Sequence, residues 1–158
     1  MLPLPQTAEY ALRAVCYIAE HGTEGPVPVS ALAEALGAPQ NYLSKTLHLL
    51  GSLGVLRSVR GTRGGYLLGG PPEQLPLIRI VEPFLPPTER RCIMGRSRCS
   101  DTQPCGAHWR WKHVNDTARA FFMDLTLANL LGDKPQMGDL PQVPSAAGDA
   151  GPAPLPSR

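Results

Sequence analysis

The stretch CIMGRSRCSDTQPCGAHWRW, Cys92 to Trp111, gathers three of the chain's four cysteines and one histidine in the spacing C-x6-C-x5-C-x2-H. Thiolates bind zinc and iron–sulfur clusters, and an imidazole can complete a set of four. Zinc sites usually bring paired cysteines on tight turns, whereas these wider gaps suit a cluster wrapped by a loop. Cys92, Cys99, Cys105 and His108 are therefore candidate ligands of an iron–sulfur cluster, with zinc as the alternative. Arg90, Arg91, Arg96 and Arg98 would offset the negative charge of sulfides and thiolates. Two plainer readings compete: a disulfide with one thiol left over, disfavoured in a reducing compartment, and a set of incidental exposed thiols. Cys16 sits on an apolar helix face and reads as core. Glu9 is a second candidate for the fourth ligand, as a carboxylate reaching over from a partner subunit. By itself it is a favourable charge in the first turn of a helix. His21, His48 and His113 have no comparable neighbours in sequence and read as surface residues.

A second group of residues has chemistry suited to nucleic acid. In SVRGTRGGYLL, Ser58 to Leu68, glycines and two arginines sit between short apolar runs. Glycine lets a backbone come close to a phosphate or a groove, and Arg60 and Arg63 could then reach phosphate oxygens or the negative minor groove. Upstream, Gln40, Asn41, Ser44, Lys45 and His48 fall away from a leucine face, where they could meet base edges and phosphates. Tyr42, Arg57 and Gly61 complete the candidate DNA-binding set. The plain alternative is a solvated hairpin and a solvated helix face.

These side chains must be held by a helical frame. Thr7 is expected to cap a first helix carrying Leu12, Val15, Cys16 and Ala19 at helical spacing. Val29, Leu32, Ala33 and Leu36 mark a second helix, Gly37-Ala38-Pro39 a tight turn, and Leu43, Leu47 and Leu50 a third. Two apolar faces meeting across a short turn are the outline of a helix-turn-helix. Val55 to Val59 and Tyr66 to Leu68 read as the strands of a wing. Leu77, Ile78, Ile80, Val81 and Leu85 indicate a further helix. A long last helix over about His108 to Met123 carries Trp111, Val114, Ala118, Phe121 and Leu125 as a heptad-like seam, expected to pair with a second copy.

The fold class expected is mainly α with a small β-hairpin wing: a winged helix-turn-helix plus a long C-terminal dimerisation helix. The expected division is 1–70 for the DNA-binding domain and 71–131 for linker helix, cysteine loop and dimerisation helix. Residues 132–158, rich in Pro, Gly, Ala and Ser, cannot bury enough area to order themselves and are expected to be disordered. A chain of 158 residues suits one domain with an appendage. A net charge of +2 does not itself argue for nucleic acid; the distribution does. No apolar run nears the ~18 residues of a membrane span, and the N-terminus lacks a signal-peptide pattern, so a cytoplasmic location is expected. No nucleophile–base pair, phosphate loop or carboxylate pair argues for an enzyme.

Taken together these residues resemble the Rrf-two family of winged-helix transcription factors over about Thr7 to Leu131. EYALRAVCYIA is similar to its first helix. The block VSALAEALGAPQNYLSKTLHLLGSLGVLRSVRGTRGGYLL, with its Y-L, L-x-S-V-R-G and G-G-Y-x-L motifs, is similar to its most distinctive part. The cysteine trio with C-x2-H-x2-W matches as well. The resemblance implies a homodimeric regulator, a repressor or dual regulator, that grips a pseudo-palindromic double-stranded DNA operator with an affinity set by an iron–sulfur cluster. Candidate signals are nitric oxide, oxidants or iron–sulfur supply. IscR-like members imply a two-iron cluster on Cys92, Cys99, Cys105 and His108. NsrR-like members imply a four-iron cluster on the cysteines and an acidic residue of the partner's first helix, the place of Glu9. The first cysteine gap is one residue wider than in IscR-like members, and Ser44 stands where they carry a base-reading glutamate. The alternatives are a zinc-binding or metal-free winged-helix regulator, or a protein-binding adaptor.

Overall fold

The computed structural model describes residues 4–85, 92–96 and 99–132. The proline-rich tail beyond residue 132 lies outside them, as do Arg90, Arg91 and Arg98 of the cysteine loop.

The first helix, α1, spans Gln6–His21 and is entered from Pro5, whose carbonyl accepts the first helical bond from Glu9 N at 3.0 Å. Thr7 is thus inside the first turn and does not cap it; no side chain does. Proline presets the backbone angle for helix entry, and the Thr7 hydroxyl is used elsewhere. α2 (Val29–Leu36) ends on Gly37 at φ 61, a left-handed position that suits glycine. α3 (Gln40–Ser52) follows after Pro39. Leu32 and Leu36 of α2 and Leu43, Leu47 and Leu50 of α3 are buried, so the two leucine faces do meet across the turn.

The wing consists of β1 (Leu56–Val59) and β2 (Gly65–Leu68), antiparallel, with Leu56 opposite Leu68 and Val59 opposite Gly65. A third piece of backbone joins them. Val27, just before α2, exchanges bonds with Tyr66 at 3.0 and 2.9 Å. Gly65 makes that approach possible: a Cβ there would lie 2.3 Å from the Val27 carbonyl oxygen.

The expected helix around Leu77 to Leu85 is shorter: α4 covers only Ile78–Val81, and a 3-10 turn takes Glu82–Phe84. Pro83 lacks the N–H a continuing helix would use. α5 spans His108–Asp124. Leu125 is then extended, at φ −92 and ψ 137, and an unexpected α6 (Leu127–Gly132) begins. Thr126 and Asn129 start it with a reciprocal cap: Thr126 N donates to Asn129 Oδ1 at 2.9 Å, and Asn129 N to Thr126 Oγ1 at 3.4 Å. Backbone bonds Leu77 N to Leu125 O (2.9 Å) and Leu127 N to Leu75 O (2.8 Å) stitch this return to the segment after the wing.

One apolar core results. It joins Ala11, Val15 and Ile18 of α1 to the α2 and α3 leucines, Val55, Ile80 and Leu127. This core runs across the expected boundary at residue 70. Among the described residues, no helix is long and apolar enough to cross a membrane.

Candidate functional site

The cysteine loop closes onto the start of α5. His108, the first residue of that helix, is 1% exposed, and its backbone N–H donates to Cys105 O at 2.9 Å. Its Nδ1 lies 3.1 Å from Cys99 Sγ, and its Nε2 lies 2.8 Å from Asp101 Oδ1. Lys112, one turn along α5, places Nζ 2.8 Å from the other Asp101 oxygen. The Asp101 carboxyl is held below its ordinary range, first by the Lys112 hydrogen bond and then by that of His108.

Cys92 is buried as well. The backbone N–H of Met94 pulls its thiol below the usual range. The N–H of Arg96, the Cys105 side chain and the Arg96 charge add to this, against the opposing effect of burial. Of the four candidate ligands, Cys99 and His108 are in direct contact, and Cys105 is among the groups that lower the Cys92 thiol. Among the described residues no three His, Cys, Asp or Glu side chains converge as a metal-holding group. The Cys99–His108 contact is also a thiol–base pair, which the sequence did not reveal. Cys16 is core, as expected, and burial pushes its thiol up to about 12. Glu9 is half-buried in the first turn of α1.

Asp101 and Lys112 escaped the sequence reading. A rule could have found the first: a buried histidine needs a partner for its second nitrogen, and Asp101 is the nearest carboxylate in the loop.

On the head, Gln40, Asn41, Lys45 and His48 are exposed along α3, and Arg57, Arg60, Gly61 and Arg63 are exposed on the wing. Gly61 sits at φ 118 at the tip, a conformation that L side chains rarely adopt. Two members of the expected DNA-binding set are partly engaged inside the protein. Ser44 Oγ donates to the Gln40 carbonyl at 2.8 Å. Tyr42 is half-buried, its hydroxyl hydrogen-bonded to Thr7 Oγ1 and its ring edge-on to Tyr10 at 5.7 Å. α1 thereby holds the front of α3.

α5 is different. His108 is its one buried residue. Of the expected seam, Val114 is 47% and Phe121 54% exposed, while Trp111 and Leu125 are half-buried. Its tie to the head is a surface ion pair, Arg119 to Glu82 at 2.8 Å, joined by apolar contacts of Phe122 and Leu125 with the core.

The family model Rrf2, described as an iron-dependent transcriptional regulator, matches residues 4–133. The HTH-type transcriptional regulator IscR of Pectobacterium carotovorum subsp. carotovorum (strain PC1) is 30% identical over 131 residues, covering 83% of this chain and 80% of that protein. The structure of T. potens IscR superposes with a TM-score of 0.68 at 25% identity, covering 84% of this chain and 88% of that one. Staphylococcus aureus CymR has the same TM-score of 0.68 at 23% identity, covering 84% and 100%, a likeness of fold alone.

Proposed function

The chain belongs to the Rrf2 family and is a transcriptional regulator of the IscR type, and on that premise we propose that it is a cytoplasmic homodimer whose grip on operator DNA is set by an iron–sulfur cluster. The observation that carries the cluster is the donor set itself. Three thiols and one imidazole lie on a single loop and helix start, Cys99 against His108, with backbone N–H groups favouring the thiolate of Cys92. Such donors fit an iron–sulfur group. Cys92, Cys99, Cys105 and His108 would hold it, and when bound it supplies a centre that reacts with oxidants or nitric oxide.

The exposed apolar stripe of α5, Val114 and Phe121 foremost, supports pairing with the same helix of a second copy. Two heads related by a two-fold axis match a pseudo-palindromic site. Gln40, Asn41, Lys45 and His48 would face bases and phosphates, with Arg57, Arg60 and Arg63 on the backbone or in the minor groove. Ser44, already bonded to its own helix, contributes as an acceptor. Tyr42 supports the reading helix from behind. A change of cluster state would alter the relative pose of the two heads, the two-state element that such coupling requires.

Anaerobic purification followed by visible absorption and Mössbauer spectroscopy tests the cluster. The expected result is a coloured protein whose iron is held by three cysteines and one other ligand. A colourless protein that still binds its operator would leave DNA reading in place and remove the redox mechanism. Nothing in the donor geometry favours zinc.

A further inference from the structure

We infer that Asp101 is a positioning residue that fixes the His108 ring so that Nδ1 is the nitrogen offered to iron; this rests on the cluster reading above and deepens it. At 1% exposure, the His108 ring is cut off from water, so each ring nitrogen depends on a protein partner. An ionised carboxylate can only accept, so the 2.8 Å contact with Asp101 Oδ1 is made by a donating Nε2–H. A neutral imidazole carries one ring proton. With that proton on Nε2, the lone pair is on Nδ1, the atom 3.1 Å from Cys99 Sγ.

The carboxylate is itself braced. Lys112 Nζ holds its second oxygen at 2.8 Å and lies 5.4 Å from the centroid of the Trp109 ring. Trp109 in turn meets the His108 ring edge-on at 4.7 Å. Turning the imidazole over would set its lone pair against an anion and strip the proton of its acceptor. A carboxylate on the far nitrogen of a ligating histidine fixes the tautomer and raises ligand basicity. The same arrangement favours His108 over Glu9 of the partner subunit as the non-cysteine ligand.

The test compares full-length wild type with Asp101→Ala and Asp101→Asn in two states. In the metal-free chain, long-range proton–nitrogen correlation spectra report the His108 tautomer, assigned by the signals lost in His108→Gln. Wild type is expected to carry the proton on Nε2. Asp101→Ala populates the Nδ1–H form, while Asp101→Asn, which keeps an acceptor oxygen, retains the wild-type tautomer. In anaerobically loaded protein, Asp101→Ala loses its cluster to a chelator roughly 10- to 100-fold faster than wild type. Should Asp101→Ala fail to fold, Lys112→Met leaves the carboxylate in place but unbraced and gives the same changes at smaller size. Wild-type spectra and wild-type cluster loss in Asp101→Ala, or in Lys112→Met where Asp101→Ala does not fold, overturn the inference. A wild-type chain that takes up no iron overturns the cluster reading instead, and the tautomer spectra still decide whether Asp101 sets the ring.

Discussion

Two thiols, Cys16 in the head and Cys92 in the loop before α5, report how differently the two regions are built. Cys16 lies among apolar side chains, and burial drives its thiol towards the neutral form. Cys92 is also buried, yet backbone N–H groups and an arginine draw it towards the thiolate. The head closes on itself: α1, α2, α3 and the wing share one core, and its polar ends are tied, as Thr7 is to Tyr42. α5 buries one residue, and that residue is a histidine. The head reaches its burial within a single chain, while α5 leaves a stripe for something outside it.

If that contrast is correct, the largest effects of mutation fall where the C-terminal return enters the head's core. Leu127→Ala removes a fully buried side chain and should cost about 2–5 kcal/mol in urea unfolding of the whole protein. A loss confined to the last helix, with the head unchanged, would break the claim of one continuous core.

Next in size is the seam. Phe121 is 54% exposed, and Phe121→Asp should weaken self-association by about 100-fold, roughly 2.7 kcal/mol, in sedimentation equilibrium. The circular dichroism of the head should not change. An unaltered dimer would move the pairing surface elsewhere.

Smaller again are the wing contacts. Arg60→Ala should weaken binding to any duplex by about 1 kcal/mol and lower the slope of log affinity against log salt by about 1, as one lost phosphate contact does. An unchanged salt slope would remove Arg60 from the interface.

The smallest effect sharpens the line between the head's internal bonds and its DNA surface. Thr7→Val and Tyr42→Phe should each cost about 0.5 kcal/mol of stability, and the double mutant no more than either single one. If Tyr42→Phe weakens operator binding while Thr7→Val does not, the hydroxyl reads DNA after all.

The legible parts of this molecule were those in which local pattern and global packing agree. The leucine spacings of α2 and α3, the glycine stop at Gly37 and the glycine-rich wing all announce their roles locally. Thr7 departs from its expected capping role because a capping hydroxyl and a tertiary hydrogen-bonding hydroxyl have the same chemistry; only the fold brings Tyr42 within reach. The break at Pro83 could have been anticipated from proline alone, whereas α6 could not. Its Thr126–Asn129 cap is a local signal, but its place depends on backbone pairing with Leu75 and Leu77, some fifty positions earlier in the chain. In the cysteine loop, the donor types were visible and their partners were not. Spacing gave no hint that His108 would be sunk between Cys99 and Asp101.

The central claim is that chemistry at the cysteine loop sets how the head holds DNA. Its most direct test is fluorescence-anisotropy titration of a duplex enriched from genomic fragments by the protein itself, using anaerobically loaded protein before and after its cluster is removed. The account predicts dissociation constants that differ at least tenfold, about 1.4 kcal/mol, at constant salt. Equal constants for the two forms would contradict it.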